Sequence, residues 1–144
     1  MIAAGSLTVR DLTTHDAPAV ARVATGLAAG GTADEWRAAL ADRTSSIAVG
    51  AVVDGRIVGY AFAAVQARFG LGPHAAWIEA FGVDPAFRAH GVGRALAGEV
   101  VVRARRAGAD HVYTLVPLHD RTLDPFFRQI GLTEEPLVCL GRAL

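Results

Sequence analysis

Apolar and polar positions along the chain switch between two periods. Leu7-Thr8-Val9-Arg10-Asp11-Leu12 alternates, the pattern of a half-buried strand. Asp16-Ala17-Pro18 then supplies a capping acid and a first-turn proline, and Val20, Val23, Ala24 and Leu27 recur at helical spacing before Gly30-Gly31. Thr32-Ala33-Asp34-Glu35 matches a capping box, so a second helix carries Trp36, Ala39 and Leu40 inward. Ile47–Val53 and Ile57–Val65 flank Asp54-Gly55, a strong hairpin signal. A loop at Gly70–His74 precedes a strand at Ala76–Val83, which Asp84-Pro85 stops. From Gly91 a helix runs to about Ala107, with Val92, Ala95, Leu96, Val100 and Ala104 on one face and Gly108 behind it. A strand at Asp110–Pro117, a helix from Asp124-Pro125 through Ile130 to Gly131, and a last strand at Leu137–Leu140 complete the pattern.

The predicted order is strand, two helices, three strands, helix, strand, helix, strand. Hairpins in the first half and strand–helix–strand crossovers in the second give an α/β domain with a mixed sheet. No repeat, linker or low-complexity tract interrupts it, so residues 1–144 read as a single domain.

Composition narrows the class of partner. The chain has 144 residues, 52% of them hydrophobic and 19% charged, which excludes disorder. Fourteen basic and fourteen acidic side chains cancel, so the basic excess of a nucleic-acid binder is missing. All 14 cations are Arg; Lys and Asn do not occur, a bias typical of GC-rich coding. One local cluster, Arg103, Arg105 and Arg106, stands out. No uncharged run approaches the roughly 20 residues that span a bilayer, and Met1–Ser6 lacks the cationic and apolar regions of a signal peptide. Cys139 is alone, expected as a small buried hydrophobe, and no Cys/His cluster has zinc-ligand spacing. The expectation is a cytoplasmic, metal-free protein that engages neither membrane nor nucleic acid.

Chemistry concentrates in Val83-Asp84-Pro85-Ala86-Phe87-Arg88-Ala89-His90-Gly91-Val92-Gly93-Arg94-Ala95-Leu96. A strand, a short glycine-bearing loop and a helix start aim free N–H groups and the positive end of the helix dipole at one point. Gly91 and Gly93 lack side chains that would block a ligand, and Arg88 and Arg94 add cationic partners. The predicted ligand is a phosphate or pyrophosphate. No G-K-[S/T] follows, which excludes a P-loop, and a third glycine for a dinucleotide fingerprint is missing.

Arg88-Ala89-His90-Gly91-Val92-Gly93 resembles the R/Q-x-x-G-x-G/A signature of the GNAT N-acetyltransferase superfamily, in the setting V-D-P-x-x-R-x-x-G-x-G-R-x-L. Phe126-Phe127-Arg128-Gln129-Ile130-Gly131-Leu132 is similar to the family's later F-Y-x-x-x-G-F element, and the element order also matches. The resemblance implies a GNAT-like, mostly antiparallel sheet of six to seven strands flanked by about four helices, its central strands splayed to admit CoA. It implies acetyl-CoA as acyl donor, transfer to a primary amine of a small molecule or peptide, and a homodimer as in many members. The pyrophosphate would sit on Ala89, His90, Gly91, Val92, Gly93 and Arg94, beside Arg88. The pantetheine arm would pair with Phe81, Gly82 and Val83, aided by a bulge at Gly82.

Attack on the thioester needs a neutral amine and hence a general base. Glu79 is the candidate, as the sole acid of its strand; alternation places it with Trp77 and Phe81, opposite Ile78 and Ala80. A backbone N–H near Phe81 to Val83 would stabilise the oxyanion. Two positions depart from the family pattern. Phe127 stands where many members have the Tyr that protonates the leaving thiolate, and Asp120 where Asn is common, able to accept but not donate a hydrogen bond to CoA. Phe127 motivates an alternative, a CoA-binding regulatory or interaction domain without catalysis. An aminoacyl-tRNA-acetylating relative would need a basic face that zero net charge does not supply. His119 reads as a solvated loop histidine, Tyr113 as core, and Tyr60 and Trp77 as strand aromatics beside the acceptor pocket.

Overall fold

The computed structural model describes residues 6–27, 30–42, 46–66 and 74–144. The loop expected at Gly70–His74, except His74, and the Met1–Gly5 start lie outside the described residues. The elements are β1 (Leu7–Asp11), α1 (Ala17–Ala24), α2 (Ala33–Asp42), β2 (Ile47–Val53), β3 (Arg56–Gln66), β4 (Ala75–Val83), α3 (Val92–Arg106), β5 (His111–Thr114) and α4 (Leu123–Gln129). Single 3₁₀ turns, Thr14–Asp16 and Pro85–Phe87, precede α1 and follow β4.

The five strands lie side by side in chain order. Three neighbouring pairs are antiparallel, and β4 with β5 is parallel, joined through α3. Asp54 and Gly55 both hold positive φ (49° and 76°), as a two-residue hairpin turn between right-twisted strands requires. Thr32 and Glu35 close their capping box: the Thr32 N–H donates to Glu35 Oε2 (2.7 Å) and the Glu35 N–H to Thr32 Oγ1 (3.2 Å).

Alternation along the strands feeds a separate core on each face. Ile47, Val49, Ala51 and Val53 of β2 join Val92, Leu96, Val100 and Ala104 of α3, and Phe127 of α4, on one side. Ile57, Tyr60 and Phe62 join Val20, Val23 and Ala24 of α1, with Trp36 and Leu40 of α2 half-buried over them. Leu96, fully buried, removes enough apolar surface from water to contribute about 2–3 kcal/mol.

Several expectations change. The sheet has five strands among the described residues, not six to seven. Residues 137–140 form no strand: the chain turns at Pro136, where the Leu137 N–H donates to the Glu135 carbonyl (2.8 Å), and Val138 and Leu140 are exposed. An apolar run becomes a strand only where a neighbour takes up its hydrogen bonds. Cys139 is accordingly exposed rather than buried. β5 stops at Thr114, three residues before Pro117, which has no N–H to give a ladder. α1 ends at Ala24, well before Gly30-Gly31, because Thr25 turns extended (ψ 124°) and Gly26 takes φ 82°.

Candidate active site

The sheet opens at β4. Its pairing with β5 runs from Ala75–His111 to Ile78–Thr114 and ends there, closed by the Thr114 hydroxyl donating to the Ile78 carbonyl (3.2 Å). β4 continues to Val83 paired with β3, and among the described residues no strand pairs with the β5-facing edge of Ala80–Val83. The break coincides with a bulge. Phe62 pairs with Ala80 and Ala63 with Ile78, leaving Glu79 as the extra residue. The bulge is therefore at Glu79, not Gly82. It also resets the alternation: Ile78 and Phe81 both enter the α3 core, so Phe81 does not share a face with Glu79 and Trp77.

Gly82 has a different role from the one expected of it. A Cβ there would stand 2.6 Å from the Tyr60 hydroxyl oxygen and 2.8 Å from Leu27 Cδ1, so the glycine lets the α1 side close onto β4.

After β4 the chain makes the turn that begins α3. The Asp84 side chain accepts from the Ala86 N–H (2.9 Å) and fixes the Pro85–Phe87 turn. Ala89 (φ 62°) and Gly91 (φ 83°) then adopt left-handed conformations two residues apart. That conformation is costly for alanine and free for glycine, and alternation of this kind makes a concavity of N–H groups suited to an anion. A Cβ on Gly91 would meet nothing within 4 Å, so the approach is open. Gly93 differs: a Cβ there would stand 2.9 Å from the Phe126 ring, so its absent side chain makes room for that ring.

One cleft of about 870 Å³ unites these parts. Glu79, Phe81, Gly82, Val83, Arg88, Ala89, Gly91, Val92, Gly93, Arg94, Asp120 and Phe127 all line it. His90 does not; its ring Nδ1 lies 2.7 Å from the Arg88 carbonyl. Asp120 is already engaged, its Oδ1 accepting from the Thr122 (2.8 Å) and Leu123 (2.6 Å) N–H groups at the start of α4. Those bonds, Leu123's first, hold its carboxyl below the usual range. Phe127 is buried, edge-on to Phe81 and Phe126, each with ring centres 5.2 Å away.

The other candidates are not among the residues that line the cleft. Trp77 packs tilted against Tyr113 (ring centres 4.9 Å apart), and Tyr60 is buried against Trp36 (5.2 Å). His119 is exposed in a loop with φ 65°. Arg128 pairs with Asp124 and Glu134. Arg103 pairs with Glu99 and Asp11, which takes it out of the basic cluster. Sequence reasoning missed Leu27, Thr114, Thr122 and Phe126 as lining residues. Phe126 carried a signal, its adjacency to Phe127; Leu27 carried none, because the turn after α1 reaches the cleft only through tertiary packing.

A sheet parted along one strand, with a left-handed turn and a helix start at the parting, defines an α/β protein with a cleft opening between its strands. The acetyltransferase (GNAT) family profile matches residues 12–132, and the chain belongs to that family. A search of curated sequences gives no match. Among solved structures it is similar to a ribosomal-protein-alanine N-acetyltransferase from Brucella melitensis biovar Abortus 2308 (TM-score 0.82, 20% identity, 95% of this chain and 99% of that one). An aminoglycoside N-acetyltransferase in complex with CoA gives TM-score 0.83 at 19% identity, with 99% of each chain covered. An acetyltransferase of Trypanosoma brucei gives 0.74 at 26% identity, with 94% of this chain and 99% of that one covered. No helix among the described residues is long and apolar enough to cross a membrane, and no described group of His, Cys, Asp and Glu could hold a metal ion.

Proposed function

We propose that residues 1–144 form one acetyl-CoA-dependent N-acetyltransferase domain acting on a primary amine of a small molecule or peptide. The observation that carries this reading is the coincidence, in one cleft, of the β4 edge beyond its pairing with β5, the left-handed turn at Ala89 and Gly91, and Glu79 on the bulge between them. The N–H groups of Ala89 to Arg94, with the α3 dipole and the Arg88 and Arg94 guanidinium groups, bind the pyrophosphate. The open edge at Phe81–Val83 takes the pantetheine arm as a further strand would be taken. Bound acetyl-CoA supplies a thioester, whose carbon gains the amine nitrogen as its bond to sulfur breaks.

Glu79 takes the ammonium proton, directly or through water, so that the nitrogen lone pair is available. A bulge suits this task, because it turns the side chain out of the alternation at the point where the strand edge becomes free. A β4 N–H near Phe81 to Val83 stabilises the oxyanion. Phe127 donates no proton, so the thiolate leaves unaided or to water.

Thiol release with acetyl-CoA and a panel of amines tests the reading. Glu79→Gln is expected to lower kcat about 100-fold while CoA still raises Tm as in the parent protein. An unchanged rate and pH profile would remove Glu79 from the role. The Phe at position 127 favours a second reading, a CoA-binding domain without catalysis, whose signature is CoA stabilisation with no thiol release for any amine.

A further inference from the structure

Tyr60 has no solvent exposure, and its hydroxyl is the sole buried side-chain oxygen or nitrogen among the described residues without a hydrogen-bond partner. A buried, unmatched polar group carries its full desolvation cost and is rare enough to demand a cause. A Phe would fill the space between Trp36 and Phe62 equally well and avoid that cost.

The position of the hydroxyl supplies the cause. Tyr60 Oη and Leu27 Cδ1 crowd the same point above Gly82, 2.6 and 2.8 Å from where a Cβ would stand. Leu27 and Gly82 both line the cleft, so the hydroxyl lies just behind its wall. It lies on the α1 face of β4, away from Phe126 and Phe127, which pack on the other face. The wall here is uncharged: Gly26, Leu27, Ala80 and Gly82. The described acids of the cleft are Glu79 and Asp120, and Asp120 is held by the amides of α4. Nothing in this set matches several positive charges. Burial pushes the phenol up to about 12, so the O–H keeps its proton at any working pH.

Resting on the N-acetyltransferase reading above, we propose that the Tyr60 hydroxyl anchors the amine-acceptor subsite. It becomes accessible when the Leu27 side chain turns aside, and it selects an amine with an uncharged apolar body bearing a carbonyl or hydroxyl group. The acceptor's polar group then completes the hydrogen bonding that the protein alone leaves unmet.

Three probes test this with acetyl-CoA in thiol-release kinetics: phenylalanine amide, phenethylamine, which lacks the carbonyl, and spermine. The parent protein is expected to prefer the amide. Tyr60→Phe raises the amide KM about tenfold, the worth of one neutral hydrogen bond, and changes the phenethylamine KM less than about twofold, with the CoA-induced Tm shift intact. An amide KM unchanged in Tyr60→Phe, or a preference for spermine, overturns the subsite and leaves the acetyltransferase reading standing. No thiol release from the parent protein with any amine overturns both. Should Tyr60→Phe fail to fold, Leu27→Ala decides. Uncovering the hydroxyl widens the preference for amide over phenethylamine, and an unchanged or narrowed preference overturns the proposal.

Discussion

Asp16 accepts two hydrogen bonds from the Arg10 guanidinium (2.9 and 3.0 Å) and one from the Thr13 N–H (2.8 Å), tying β1 to the turn that leads into α1. The Arg10 bonds chiefly, helped by the Thr13 bond, outweigh the opposing effect of burial and hold its carboxyl below the usual range. A depressed folded pKa stabilises the protein fully above the unfolded value of about 3.9 and loses that contribution as pH falls through the folded value. Asp16→Asn is therefore expected to cost about 1 kcal/mol at pH 7, with Arg10 half-exposed and screened by water. The two proteins should converge in urea titrations as pH falls from 4 toward 2. A gap that persists at pH 2 would show that the charge is not the cause. Asp120, expected as a partner for CoA, also has a local role, its Oδ1 accepting from two N–H groups at the start of α4. With the helix expected to start at Asp124-Pro125, Asp120 stood four residues outside it, and this role was not legible.

The elements were legible where local chemistry decides them. The Asp54-Gly55 hairpin, the Thr32–Glu35 box and the Gly91 start of α3 all form as their residues dictate. Pairing is another matter. Strict alternation cannot reveal that Phe62 and Ala63 skip Glu79, because a bulge is a property of two strands, and it inverted the face assigned to Phe81. The same limit applies to Gly93, whose sequence context speaks of phosphate but whose missing side chain accommodates Phe126. Gly93→Ala should lower stability by about 1–3 kcal/mol, since the ring must leave its stack on Phe81 (5.3 Å). Shortening the partner, in Gly93→Ala/Phe126→Leu, should recover part of the loss as a coupling term. Gly91→Ala, strained by its φ of 83° and touching nothing, should show no coupling with Phe126→Leu. Additive costs for Gly93 and Phe126 would mean that the contact is not what the glycine serves.

Across the whole molecule the two cores grip the sheet from opposite faces, and the cleft opens where β4 and β5 part company. With no Lys in the chain, the cations of the cleft are the planar forks of Arg88 and Arg94, while Arg103 and Arg128 are paired with acids elsewhere. The last element expected from the sequence is where local reading overreached most. Leu137–Leu140 has the residues of a strand, but every residue from Thr133 to Leu144 is exposed, and none of them lines the cleft. Stability follows burial rather than sequence position. A chain ending at Glu135 keeps Leu132 against the core and the Arg128–Glu134 pair, and loses only exposed residues. Its Tm should fall within about 2 °C of the full chain, less than the loss of one buried side chain produces. Stabilisation by CoA should also be unchanged, because it depends only on ligand concentration relative to Kd. A large drop in Tm would mean that the segment packs or pairs in solution. A lost CoA shift with Tm preserved would mean instead that it reaches the cleft.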